Sequence, residues 1–305
     1  HIDDVDDLQE FFLGDKYTHV RNIMKSEGIK KLPQCLHCWK AIDGYWTEIN
    51  NYNEKQIHDT LQVSYLELTT SNTCNQTCVT CSSYFSSKWR KIESKFDRQI
   101  HSSFQLSDSA IDKVIKVLPG LKYLQIKGGE PFADKNNLKI LKALSKVNPK
   151  CEVIITSNFQ RISDEWYEVL KLLPNIKAGA SIDGIDKVAE YHRWPLKWEK
   201  FKRNLEWARS LNCNIMFNTV VDAVNVSFIH EILEYQNYPS IWNLTPIIQP
   251  MALRIENLPN HLKQSAYDNF IKLMNSTHYK IDSNFKNNVD AIAKKILENG
   301  YPNVL

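Results

Sequence analysis

The sequence has no run of the roughly 18 apolar residues that a membrane helix needs, and its opening, HIDDVDDLQE, is acidic where an export signal would be basic and then apolar. Both absences point to a cytoplasmic protein with no membrane association. There is also no run of five or more lysines or arginines. With 38 basic against 35 acidic side chains the formal charge is only +3, which argues against a nucleic-acid partner. Neither an internal repeat of solenoid period nor a low-complexity segment is present. Cysteine, at 7 in 305 residues, is too sparse for a disulfide scaffold. What is there is 43% hydrophobic and 24% charged content, which suits one large domain with a substantial core plus a smaller appendage and is too apolar for disorder. The chain starts at His1 rather than Met, which leaves room for an upstream segment.

From residue 61 onward, short apolar runs alternate with segments of helical period. The strand candidates are 63–69, 122–126, 151–156, 176–182, 213–221 and 244–249. Between them, Ser107 is placed to cap a helix whose apolar face is Ile111, Val114, Ile115 and Leu118. Ser163 is placed to cap another with Trp166, Val169, Leu170 and Leu173 inward, and a third carries Trp198, Phe201, Leu205, Ala208 and Leu211 on one side. Strands separated by helices pair in parallel through right-handed crossovers. The expected fold is therefore α/β, a partial (β/α)6 barrel over 61–255. A small cysteine-containing segment, 1–60, precedes it, and a helical cover, 256–305, follows it, with helix-like stretches at 262–274 and 289–297.

In such barrels the functional groups sit in the loops after the strands. Here the first strand runs into Cys74, the second into Gly128-Gly129-Glu130-Pro131, the third into Ser157-Asn158 and the fourth into Ser181-Ile182-Asp183-Gly184. Cys74, Cys78 and Cys81 place three thiols within eight residues, so one loop can surround one metal centre. A structural zinc site would want a fourth ligand nearby, and none is adjacent in sequence. Three thiolates on a four-iron cluster leave one iron open to chelate a small ligand and pass it an electron. On spacing alone the open cluster, zinc and inert core cysteines all stand. Cys151 and Cys213 each open a strand and read as small buried hydrophobes. Gly128 and Gly129 let a ligand approach the backbone, and Glu130 can hold an ammonium group; alone, the four residues are also an ordinary turn.

Taken together, the CxxxCxxC of residues 74–81 and the GGEP of 128–131 resemble the radical S-adenosylmethionine (SAM) superfamily, over roughly residues 61–255. The resemblance implies that Cys74, Cys78 and Cys81 hold a 4Fe-4S cluster. It also implies that the open iron chelates the methionyl amine and carboxylate of SAM, and that Glu130 contacts the amine. Ser157, Asn158, Ser181, Asp183 and Arg193 stand where such enzymes contact the SAM ribose and carboxylate, although Ser, Asn and Asp-Gly are equally at home in plain turns. Asn218, Asn225 and Ile247-Ile248 match more weakly. One departure is Thr80, where the superfamily often has an aromatic residue packed on adenine.

The implied chemistry is reductive cleavage of SAM to a 5'-deoxyadenosyl radical that takes hydrogen from a substrate, with an electron donor such as flavodoxin or ferredoxin. Peptide modification leads the substrate readings, and oxidation or rearrangement of a sugar or other small metabolite follows. Phe11-Phe12-Leu13-Gly14, Tyr17, Arg21, Met24, Gly28 and the Cys35-Leu36-His37-Cys38-Trp39 stretch resemble radical SAM proteins with an added SPASM or twitch region. That likeness implies a second Fe-S cluster at Cys35 and Cys38 with further ligands from elsewhere; a zinc knuckle or plain structural pair remains the other reading. A non-catalytic zinc adaptor is the rival from another class. An RNA-modifying radical enzyme would want a basic and aromatic stripe, and a cobalamin-dependent methylase would need a further domain.

Overall fold

The structure is a computed structural model and describes residues 2–28, 31–33, 62–96, 100–211, 213–235 and 241–298. Six strands form one sheet in the order β1-β2-β3-β4-β5-β6, every neighbouring pair parallel. They are β1 (Tyr65–Thr69), β2 (Tyr123–Lys127), β3 (Glu152–Ser157), β4 (Ile176–Ser181), β5 (Asn214–Val221) and β6 (Ile241–Pro246). Two short helices, α1 (Leu8–Leu13) and α2 (Asp15–Ser26), precede the sheet, and α3 (Arg90–Glu93) follows the cysteines. The crossovers carry α4 (Asp108–Val117), α5 (Lys135–Val147), α6 (Asp164–Leu170), α7 (Asp186–His192) and α8 (Trp198–Ser210). The chain then runs through α9 (Asn260–Phe270), α10 (Thr277–Ile281) and α11 (Ser283–Leu297).

Period-two alternation sorts the strand residues between two faces. Leu68, Leu124, Ile126, Val153 and Ile155 are buried in one core with Ile111, Val114 and Leu118 of the α4 region and Leu141 and Leu144 of α5. Ala178, Phe217, Trp242 and Leu244 are buried in a second core with Phe201 and Leu205 of α8 and Phe285, Val289 and Ile292 of α11. The last helices thus share the core of the sheet's second half. The other sheet face carries Glu67, Thr69, Gln125, Lys127, Thr156, Asn218, Asn243 and Thr245 and lines a cavity of about 1130 Å³.

Ser107 caps α4 as expected, its Oγ accepting from Ala110 N at 3.1 Å. Ser163 occupies the N-cap position of α6 with extended backbone but makes no side-chain cap bond; Asp164 and Glu165 supply the favourable negative charge in the first turn instead. The last strand begins three residues earlier than the apolar run suggested. Its alternation starts at Ile241-Trp242, with Trp242 and Leu244 inward, and Pro246, without an N–H to donate, closes it. In the leading helices the SPASM-like residues serve local packing. The Arg21 guanidinium lies 5.0 Å from the Phe12 ring centroid and donates to Phe12 O at 2.8 Å, and the Phe11 and Tyr17 rings meet edge-on at 5.3 Å. Cys35 and Cys38 lie outside the described residues. No described helix is long and apolar enough to cross a membrane.

Candidate functional site

The loop leaving β1 is fixed from three sides. Asn72 accepts from Phe104 N at 3.0 Å and donates to Ser102 O at 3.2 Å, tying the loop's start to the chain entering α4. From β2, Gly129 N donates to Ser71 O at 3.2 Å and Glu130 N to Thr73 O at 2.8 Å. The two glycines make this approach possible. A Cβ on Gly128 would lie 2.6 Å from Ser71 O, and one on Gly129 would lie 2.3 Å from Thr73 O, so only glycine fits at either. Gly128 also has φ +129°. What meets the glycines from the Cβ side is therefore the cysteine loop's own backbone. From the end of α7, His192 O accepts from Val79 N at 2.8 Å and Trp194 O from Thr77 N at 2.6 Å. The Trp89 indole donates to Cys78 O at 3.0 Å, and Ser86 Oγ to Gln76 O at 2.7 Å.

With its backbone held this way, the loop presents Cys74, Cys78 and Cys81 to the cavity, all as free thiols. Burial pushes the Cys78 thiol up to about 12, opposed by the Arg193 guanidinium, whose Nη1 lies 4.0 Å from the sulfur. Burial likewise pushes Cys81 up to about 11 and raises Cys74. Three neighbouring buried thiols become thiolates together only if a positively charged centre joins them. Gln76 Nε2 is a buried donor with no partner among the described residues, in the same cavity lining. No three His, Cys, Asp or Glu side chains among the described residues converge as a ready single-ion site. Three soft sulfurs, an orphan amide donor and a guanidinium around a large cavity fit an iron-sulfur cluster.

Glu130 lines the same cavity beside the start of the cysteine loop and is 2% exposed. Its Oε1 accepts from Phe132 N at 3.1 Å and Ser157 Oγ at 2.7 Å, and its Oε2 from Asn158 N at 2.8 Å. A carboxylate can accept about four such bonds, so one acceptor site remains for a cation. Burial raises its pKa to about 7 despite these donors. Asn158 Nδ2 donates to Asn75 Oδ1 at 2.8 Å, joining the third strand's loop to the cysteine loop.

A buried charge chain lies behind the cysteines. His192, 0% exposed, has Nε2 at 2.8 Å from Asp222 Oδ2 and Nδ1 at 3.4 Å from Asp183 Oδ2, and Arg193 Nε reaches the latter oxygen at 2.7 Å. The contacts to Asp183 are ion pairs rather than well-aimed hydrogen bonds. Burial opposes the charged imidazole, but the two carboxylates overcome it and raise its pKa to about 9. For Asp183, burial acts upward and is outweighed by Arg193 and His192, so its pKa is lowered.

The predicted residues sort as follows. The three cysteines, Gly128, Gly129, Glu130, Ser157, Asn158, Ser181 and Arg193 all line the one cavity, as do Asn218 and Thr80. Asp183 does not: it is fully buried, its Oδ1 accepts from Val220 N at 2.9 Å, and it holds Arg193 from behind. Asn225 is also buried, its amide donating to Val220 O at 2.8 Å and Asp183 O at 3.1 Å. Ile247 and Ile248 are outside the lining. His192, Asp222, Gln76 and Trp89 were not singled out from sequence. Nor was the aromatic rim of Tyr84, Phe85 and His101, with Tyr84 to Phe85 at 4.7 Å and Tyr84 to His101 at 5.1 Å, which lines the same cavity. The only sequence hint was adjacency, His192 to Arg193 and Tyr84 to the third cysteine.

Comparison with known proteins gives a family model, the radical SAM superfamily, that matches residues 68–235, more than half of the chain. No curated protein matches. Among solved structures, native anSMEcpe with bound AdoMet is 17% identical at a TM-score of 0.52, covering 71% of this chain and 60% of that one. The same protein with AdoMet and the Kp18Cys peptide is 18% identical at 0.51, covering 74% and 62%. Streptococcus suis SuiB bound to S-adenosylmethionine is 13% identical at 0.48, covering 87% and 59%. This chain thus spans about 60% of the length of each of these three structures. At these identities the anSMEcpe likeness speaks to the fold, a parallel six-stranded partial barrel.

Proposed function

Because this chain belongs to the radical SAM superfamily, an enzyme family whose cofactors are a 4Fe-4S cluster and SAM, we propose that Cys74, Cys78 and Cys81 hold that cluster and that the enzyme acts on a peptide. The observation that carries the first part is the convergence of three thiols, an orphan amide and a guanidinium on one cavity. When bound, the cluster supplies one electron that cleaves SAM to methionine and a 5'-deoxyadenosyl radical able to abstract a substrate hydrogen. The chain's residues orient the reactants and exclude water. The remaining acceptor site of Glu130 receives the SAM ammonium. Gln76 Nε2 and Arg193, both beside the cysteines, donate toward the cluster's negative charge and stabilise it. Asp183 acts only through Arg193. Ser157 and Asn158 hold the Glu130 carboxylate in place, and Ser181 and Asn218 offer hydrogen bonds from the sheet face.

The peptide reading is supported by the size and openness of the cavity, whose floor is a row of amide and hydroxyl side chains, Gln125, Thr156, Asn218, Asn243 and Thr245. It is also supported by similarity in fold to a protein solved with a peptide. The test is anaerobic reconstitution with iron, sulfide and dithionite, followed by SAM. The wild type should produce 5'-deoxyadenosine, and Cys74→Ala, Cys78→Ala and Cys81→Ala should each abolish it. Normal production by any of the three refutes the ligand assignment. Deuterium passing into 5'-deoxyadenosine from deuterated sugars but never from deuterated peptides refutes the peptide reading.

A further inference from the structure

The fifteen residues that follow the third cysteine, 82–96, contain four cations, Lys88, Arg90, Lys91 and Lys95, and one acid, Glu93. Glu93 is 6% exposed, and both its carboxylate oxygens face Ser83 N, at 3.2 and 3.3 Å. The three lysines are exposed, Arg90 is half-exposed and donates to Ser103 Oγ, and none of the four forms an ion pair with a described residue. The segment therefore carries a net charge of +3, with its cations outward and its single acid turned inward. Phe96 is 61% exposed on the same segment, and Tyr84 and Phe85, each 59% exposed, carry it onto the cavity rim. An exposed cluster of one charge sign steers an oppositely charged partner onto it.

The patch is mechanically part of the cysteine loop. The Trp89 indole, flanked in sequence by Lys88 and Arg90, donates directly to Cys78 O. Each reductive cleavage of SAM at that loop takes one electron, which has to reach the loop from outside. We propose that this surface, resting on the cluster assignment above, is the docking site of an acidic one-electron carrier protein of the flavodoxin or ferredoxin class. One electron leaves the reduced carrier, which becomes oxidised, and enters the cluster held by Cys78 and its partners; no bond is made or broken and no proton moves. Charge complementarity selects an acidic partner, and attachment to the Cys78 carbonyl places it beside the centre it must reduce.

The test uses the full chain, anaerobically reconstituted, as Lys88→Glu/Lys91→Glu/Lys95→Glu and, in parallel, as the corresponding triple glutamine variant. Arg90 is left intact because of its bond to Ser103. Binding of oxidised flavodoxin or ferredoxin is titrated directly, iron content is measured, and SAM cleavage is driven either by the reduced carrier or by dithionite. The expected result is a loss of carrier affinity and carrier-driven rate of roughly tenfold or more in the glutamate variant, and less in the glutamine variant. Iron content and dithionite-driven cleavage should stay at wild-type level, and wild-type carrier affinity should fall with added salt. Unchanged carrier binding in both variants overturns the proposal. So does an equal loss under dithionite, which would make the lysines part of the loop's fold. Loss of affinity for an acidic peptide or an oligonucleotide with carrier-driven rates intact overturns it in favour of that partner. Absence of dithionite-driven cleavage in the wild type would instead count against the cluster assignment, and the direct titration still decides the docking surface.

Discussion

The sharpest test of the buried charge chain is Asp222→Asn. His192 is held between Asp222 and Asp183 at zero exposure, and its pKa rises from 6.5 to about 9 because the two carboxylates outweigh burial. At about 1.4 kcal/mol per unit, that rise corresponds to about 3 kcal/mol of stability. The folded pKa is raised, so this contribution is complete below 6.5 and is lost as pH climbs through about 9. Asparagine keeps the shape and preserves the acceptor for Val224 N and Asn225 N, now 2.8 and 3.1 Å from Asp222 Oδ1. It removes the negative partner that sits 2.8 Å from His192 Nε2. Near about pH 6 the variant should lose about 2 kcal/mol, part of that total, because Asp183 still faces Nδ1 while Asp222 no longer supports the imidazolium. Near about pH 10 the wild-type ring is already neutral and can accept from the new amide, so the difference should shrink to about 1 kcal/mol or less. At about 2 °C per kcal/mol for a chain of this size, the Tm deficit should fall from about 4 °C to about 2 °C or less. Thermal unfolding of both proteins side by side at matched ionic strength measures it. A deficit equal at both ends, or larger at high pH, would mean that His192 is neutral in the folded protein.

Other outcomes follow from the cavity. Burial holds Glu130 near 7, and an ammonium binds its charged form, so SAM affinity should fall by about tenfold per unit as pH drops below about 7. Glu130→Gln should bind SAM more weakly and show no such slope in an equilibrium titration; a slope that survives the substitution places the titrating group elsewhere. Gly129→Ala drives a Cβ to 2.3 Å from Thr73 O, which the cysteine loop can relieve only by moving away. It should sharply lower iron retained after reconstitution while far-UV circular dichroism stays near wild type, and full iron loading would show that the loop tolerates the displacement.

Much of this molecule could be read from local sequence. Each strand shows its period-two alternation within its own few residues, helix α4 carries its cap and its apolar face within one turn of each other, and parallel order follows from helices lying between strands. The cysteine spacing and the GGEP motif were legible for the same reason, since one loop or one strand end carries each of them whole. The early start of β6 was missed because a tryptophan and a leucine separated by asparagine read as weak apolar character until Trp242 is seen packed against Phe285, with ring centroids 5.3 Å apart.

Only the tertiary structure decided the direction of groups whose sequence signature fits two environments. The Asp183-Gly184 pair is a turn signature whether its carboxylate meets a ligand or is buried; in the loop between β4 and α7 it is fully buried and committed to Arg193 and His192. His192 and Asp222 stand 30 residues apart and meet because β5 ends beside the end of α7. Gly128 and Gly129 were legible as permissive backbone, but what they admit, the carbonyls of Ser71 and Thr73, depends on the parallel register of β1 and β2. Glu93 is one acid among four cations in sequence, and only the fold shows that it turns inward against Ser83 while the lysines stay exposed. Periodicity and capping act over a few residues along the chain and are therefore written in it, whereas the pairing of buried charges and the approach of one backbone to another depend on distances that exist only once the elements have packed.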